Sequence, residues 1–257
     1  VSASADGADE RLRVHFVQHE SFEAPGAFES WVAGRGHRSS YSRVFEGQPL
    51  PLSGSDIDLL VILGGPQSPA TSTDECPYFD SAAECRLITS CIAAGRAVVG
   101  VCLGAQLIGQ ALGAGFEPSP YPEIGNFPIT LTADGLASPA VAHFGPRPVV
   151  GHWHADMPGL TAQARVLAVS AGCPRQIVEY GPLVYGFQCH LEFTQPLVDG
   201  LIEQAYPTAV EPSARYVQRA EVMRDHQYDV MNHLLYEFLD RLSVAYRHRS
   251  RALRPVG

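Results

Sequence analysis

Two apolar runs, IDLLVIL at 57–63 and AVVGV at 97–101, each end at a turn built from small residues and hand over to a helical pattern. A strand that is apolar at nearly every position must bury both of its faces. That is the condition of a strand inside a parallel sheet covered by helices on both sides. The helical patterns fit this. Cys85, Ile88, Cys91 and Ile92 recur at helical spacing within 75–94, and Gly95 follows as a stop. Residues 103–112 read as a second helix, closed by Gly113. Strand–helix–strand–helix order predicts an α/β fold: a doubly wound, mostly parallel sheet flanked by helices.

The rest of the chain extends the pattern. Residues 12–17 read as a first strand, and 166–169, 176–179 and 183–189 as strands that return to the sheet. The proline-rich segment 114–150 reads as loops and short strands, forming an antiparallel edge. Helices follow from Pro196 onward, and Met231, Leu234, Leu235, Phe238 and Leu242 share one apolar helical face that packs on the body. Neither an internal repeat nor a long linker stands out. A single domain over 1–257 is expected, with 1–10 flexible, C-terminal helices over 211–257 packed on it, and a basic tail at 247–254.

Composition excludes several classes. The formal net charge is −9 and every one of the 18 basic residues is arginine, with no basic stripe, which argues against nucleic acid as a partner. Residues 1–10 are small and acidic and lack the form of a signal peptide. The apolar runs are too short to span a bilayer, so no membrane partner is expected. The cysteines, Cys76, Cys85, Cys91, Cys102, Cys173 and Cys189, are irregularly spaced and form no CxxC. This reads as a reducing, cytoplasmic setting without disulfides, metal or other cofactor.

The sharpest local signal is Gly100-Val101-Cys102-Leu103-Gly104, a G-x-nucleophile-x-G elbow between a buried strand and a helix. Small neighbours allow the tight turn. The helix N-terminus favours thiolate over thiol, and the Leu103 N–H is free to serve half of an oxyanion hole. Gly64-Gly65-Pro66 ends the other buried strand at the same end of the sheet and can bring the second donor. A thiol also needs a base. His190 closes a strand, and Glu192, two residues on, points the same way and can fix the imidazole tautomer. A rival arrangement places His152 and His154 with His190 and Glu192 around a metal, but it leaves the cysteine elbow without a purpose. The other histidines, His15 and His19 among them, have no evident partner in the sequence and read as surface or satisfied residues.

Together these residues resemble the class I (triad) glutamine amidotransferases, with the flavodoxin-like fold of that family. Within it the chain is most similar to the free-standing members that look like the amidotransferase half of GMP synthase, a group that includes γ-glutamyl peptidases. The resemblance runs through FEAPG at 22–26, GQPL at 47–50, LGGP at 63–66, GVCLGAQL at 100–107, EIG at 123–125, WHAD at 153–156 and YGFQCHLE at 185–192. It implies Cys102 as the nucleophile that forms a γ-glutamyl thioester, and His190 and Glu192 as the other triad members. It implies an oxyanion hole from Leu103, Gly64 and Gly65, a substrate contact by Gln106, and a grip on the α-amino and α-carboxylate groups by the backbone of Trp153, His154, Ala155 and Asp156. Leu191 stands where the family often has proline, and the prolines of 116–123 can reshape the pocket rim. There is no P-loop. The resemblance therefore implies a glutaminase that hands ammonia to a separate acceptor synthetase. The alternatives are a stand-alone hydrolase of γ-glutamyl conjugates and, less favoured, a non-catalytic binding module.

Overall fold

A computed structural model describes residues 11–206 and 215–252. The flexible segment expected at 1–10, the start of the C-terminal region at 211–214 and the tail beyond residue 252 lie outside the described residues. Ten strands form: β1 (Arg13–Gln18), β2 (Arg38–Arg43), β3 (Leu59–Ile62), β4 (Ala97–Val101), β5 (Phe116–Pro128), β6 (Thr130–Leu131), β7 (Val149–Pro158), β8 (Arg165–Val169), β9 (Ile177–Gly181) and β10 (Val184–Phe187). The α-helices are α1 (Ala27–Gly34), α2 (Ser81–Ala93), α3 (Leu103–Ala111), α4 (Ala133–Ala137), α5 (Gln195–Ala205), α6 (Ala220–Arg224) and α7 (Asp229–Ala252).

The main sheet has eight strands in the order β2-β1-β3-β4-β10-β9-β8-β6. β2, β1, β3, β4 and β10 run parallel; β9, β8 and β6 continue the sheet antiparallel. The expected burial on both faces is met by strand alternation. Leu59, Val61, Val99 and Val101 point to one side, against Phe28 and Trp31 of α1 and Leu235, Phe238 and Leu242 of α7. Leu60, Ile62 and Val98 point to the other, against Leu87, Ile88 and Cys91 of α2 and Leu103, Leu107 and Ile108 of α3. Covering a sheet on both sides is what permits an all-apolar strand sequence.

Two boundaries differ from expectation. α2 starts at Ser81 rather than 75, because the Asp80 carboxylate accepts the Ala83 N–H at 2.8 Å and fixes the N-cap there. The strand preceding His190 ends at Phe187; beyond it His190 makes an isolated antiparallel bridge with Gly151. The segment 114–150 divides: Thr130–Leu131 (β6) is the expected antiparallel edge of the main sheet, whereas the residues before it differ from expectation. Most of its proline-rich first part forms one long strand, β5, which pairs with β7 in a separate antiparallel ribbon, touches Val217 through one parallel bridge at Ile124, and adds no edge to the main sheet. The pairing skips between Pro118 and Glu123, where prolines lack the N–H a ladder needs. The ribbon is tied to the body beside the bridge, through Gly151 N–H to His190 O at 2.9 Å and His190 N–H to Gly151 O at 2.8 Å. Among the described residues no helix is long and apolar enough to cross a membrane.

Candidate active site

The elbow is built by close packing. Cys102 has φ 51° and ψ −107°, and it is the one non-glycine residue with positive φ among the described residues. A side chain held there stores strain and needs its surroundings to enforce the turn. The enforcement is visible. A Cβ on Gly100 would sit 2.3 Å from the Gly104 carbonyl carbon, and one on Gly104 would sit 2.1 Å from Ile62 O. The Cys102 N–H donates to Phe187 O at 2.7 Å, which locks the elbow to β10. The thiol then stands at the first turn of α3, where the helix N-terminus favours negative charge.

His190 and Glu192 meet as their spacing predicts. His190 Nδ1 lies 2.6 Å from Glu192 Oε1, both residues are buried, and the imidazole stacks on Phe193 with ring centroids 4.4 Å apart. Burial works against charge on this ring, but the Glu192 carboxylate and the adjacent Cys102 outweigh it and hold the His190 pKa well above its ordinary value. Its Nε2 is buried and has no hydrogen-bond partner among the described residues. The Cys102 thiol donates instead to the Trp153 carbonyl, at 3.6 Å. One ring nitrogen is thus fixed by the carboxylate, and the other is open to a thiol proton.

Cys102 shares one pocket with Gly65, Gln106, Trp153, His154, Ala155 and Asp156, so most of the sequence-predicted site residues converge. Each has its own position. Gln106 is buried and donates to Gln188 Oε1 at 3.2 Å. Asp156 is half-buried, and its burial raises its pKa. The rival metal grouping is corrected. The side chains of His152 and His154 face Glu123, at 3.7 and 3.4 Å, rather than His190 and Glu192. Glu123 also accepts hydrogen bonds from Ser170 Oγ (2.6 Å), Gln176 Nε2 (2.6 Å) and Gly172 N–H (3.3 Å). Glu123, His152 and His154 are the three-residue group among the described residues that could hold a cation. Burial pushes His152 down to about 3, which keeps that ring neutral.

Three residues escaped the sequence reading. His19 is fully buried beneath the Gly64-Gly65 turn; its Nδ1 lies 2.9 Å from Gly64 O, and its Nε2 lies 3.0 Å from a carboxylate oxygen of buried Glu84. Glu23 lines the pocket beside Cys102, with its Oε2 only 2.7 Å from where a Gly64 Cβ would be. Glu84 falls within the predicted 75–94 helix and His19 just past β1, so their pairing rests on the fold alone. Glu23 lies within FEAPG, and a carboxylate between apolar residues was the signal available.

A mostly parallel sheet, with a strained cysteine elbow at the carboxyl end of its strands and a buried His–Glu pair beside the cysteine, defines a class of α/β proteins. The model of the class-I glutamine amidotransferases matches residues 37–206, and the chain belongs to that family. It is similar to the glutamine amidotransferase-like protein YfeJ of Salmonella typhimurium, with 53% identity over 239 residues covering 93% of this chain and 100% of that protein. It is similar also to the solved structure of SMU.1228c, with 49% identity, coverage of 90% of this chain and 100% of that one, and a TM-score of 0.88. A glutamine amidotransferase from Thermotoga maritima shares the fold at 24% identity, with a TM-score of 0.79 over 91% of this chain and 98% of that one.

Proposed function

We propose that the chain works as one domain that hydrolyses the γ-amide of glutamine through a Cys102 thioester and supplies ammonia to a separate acceptor enzyme. The observation that carries this reading is Cys102, held at φ 51° in the pocket wall with a Glu192-oriented His190 behind it. His190 Nε2 takes the thiol proton, and the sulfur adds to the γ-carbonyl carbon. The Leu103 N–H and the Gly64-Gly65 turn receive the oxyanion. The imidazolium returns the proton to the leaving nitrogen, and water then hydrolyses the thioester by the same route. Glu192 keeps the tautomer and stabilises the imidazolium. Gln106 and the backbone from Trp153 to Asp156 hold the glutamyl part of the substrate.

The reading in which the leaving group is the amine of a γ-glutamyl conjugate uses identical chemistry. It draws support from Pro122 of the interrupted β5 strand, which lines the same pocket as Cys102 and can shape the space for a leaving group. One experiment separates the two. The purified protein is treated with a glutamine-like electrophile and its intact mass measured, while glutamate release is followed from glutamine and from a γ-glutamyl dipeptide. A single adduct on Cys102 with faster release from glutamine supports the glutaminase. Faster release from the dipeptide transfers the assignment to the peptidase, and absence of adduct and turnover refutes both.

A further inference from the structure

Building on the γ-glutamyl amidase reading, we propose that Glu23 is a further catalytic residue, whose protonated carboxyl donates a hydrogen bond to the oxyanion formed when the Cys102 thiolate adds to the substrate. Glu23 follows β1 at the carboxyl end of the sheet and lines the pocket that contains Cys102. Its Oε2 is 2.7 Å from the position of a Cβ on Gly64, and that position is 3.5 Å from Cys102 Cβ. Gly64 is absent from the positive-φ glycines, so its backbone does not demand glycine. The space a Cβ would take there is occupied by the Glu23 carboxyl, the free end of that side chain. The sequence leaves a gap over the expected oxyanion-hole turn and puts an acid in it.

Charge decides what that acid can do. An ionised carboxylate over the Gly64-Gly65 turn would repel the oxyanion that the turn is built to receive, whereas a neutral carboxyl adds a donor. A carboxylic acid kept neutral by its site is a known means of stabilising an oxyanion. Among the described residues no group donates a hydrogen bond to Glu23, and the titratable groups facing it are His190, Glu192, His19, Glu20 and Cys102 itself. Burial pushes the Glu23 carboxyl up to about 7, opposed by His190 and His19 and reinforced by Glu192 and Glu20. The pocket's other carboxylate, Asp156, stands in the segment expected to hold the α-amino group, which leaves Glu23 to the reacting end. The balance of the step is conventional. The sulfur lone pair forms the C–S bond, the carbonyl π pair moves to oxygen, and Glu23 shares its proton without losing it. The pair then returns as the C–N bond breaks, and His190 protonates the nitrogen.

The test compares wild type, Glu23→Gln and Glu23→Ala in glutamate release from glutamine or from a γ-glutamyl anilide between pH 5.5 and 9. A glutamine-like electrophile labels Cys102 in each as a check on the elbow. The expected wild-type kcat declines as pH rises through about 7, because Glu23 ionises. Glu23→Gln, whose amide donates at every pH, should retain kcat within about tenfold and lose that decline. Glu23→Ala should lose kcat by roughly 100-fold, the usual cost of an oxyanion donor, with little change in KM. A Glu23→Gln variant as slow as Glu23→Ala, an unchanged pH profile, or a loss confined to KM would each overturn the assignment while the amidase reading stands. A wild-type protein that neither turns over a γ-glutamyl amide nor takes the label would overturn both.

Discussion

Asn232 of α7 is buried, and its side-chain nitrogen donates to Leu191 O and to Phe193 O, each at 2.8 Å. These two carbonyls flank Glu192, so one amide on the C-terminal helix clamps the segment that carries the proposed triad acid. Replacing Asn232 by leucine keeps the branching and the number of heavy atoms and removes the donating nitrogen that serves both carbonyls. A buried carbonyl left without its donor costs about 1–3 kcal/mol, so the pair should cost about 2–4 kcal/mol after partial relaxation. For a domain of this size that corresponds to a drop in melting temperature of roughly 4–16 °C. The activity should fall further than the unfolded fraction explains, because a loosened Leu191–Phe193 backbone lets Glu192 drift from His190. Denaturant unfolding gives the stability change, and glutamate release well below the melting temperature gives kcat. A stability change under about 0.5 kcal/mol together with unaltered kcat would refute the clamp; a stability loss with kcat intact would refute only its link to the triad.

Cys102→Ala or Cys102→Ser should abolish turnover without unfolding the protein, since the strained position accepts a small residue; circular dichroism and glutamate release check both halves, and retained turnover would end the thioester mechanism. Glu192→Gln should slow turnover less than Cys102→Ala, because an amide still orients the imidazole but cannot stabilise its charge; steady-state kcat in the two variants decides. The buried His15 is pushed down to about 4 by burial, so between about 6.5 and 4 the unfolded chain binds a proton that the folded ring refuses. Stability therefore falls as pH drops through that window, by about 2 kcal/mol at pH 5 from this residue. Urea midpoints at pH 7 and pH 5 measure it, and a His15→Gln variant should show a smaller drop; equal drops would assign the acid sensitivity elsewhere.

Local pattern and distant pairing were unequally legible. IDLLVIL and AVVGV announced their strands because burial on both faces leaves nothing but apolar residues, and the elbow announced itself because its glycines are demanded by contacts below 2.5 Å within and beside the motif. The His190–Glu192 pair was readable for the same reason, since two residues apart in the chain become neighbours in space without help from the fold. The β5–β7 ribbon was not readable in this way. Its prolines erase the alternation that marks a strand, and its partner lies across a connection whose path no spacing reveals. Hidden with it was Glu123, joined to His152 and His154 only when the ribbon closes, so the histidines could be assigned the wrong carboxylate.

The support of the turn proposed to form the oxyanion hole was hidden for the same physical reason. Gly64-Gly65 is visible as a turn, but what fixes its shape is His19, which bridges Gly64 O and Glu84 across elements 45 and 65 residues away along the chain. The Glu84 charge raises the His19 pKa against the pull of burial, which favours a ring that donates from both nitrogens at once. That imidazole pins the Gly64 carbonyl, and the Glu23 carboxyl occupies the space beside the Gly64 Cα. The diglycine turn is thereby in contact with two ionisable groups. A turn proposed to receive an oxyanion needs such bracing, because glycine alone supplies access without rigidity.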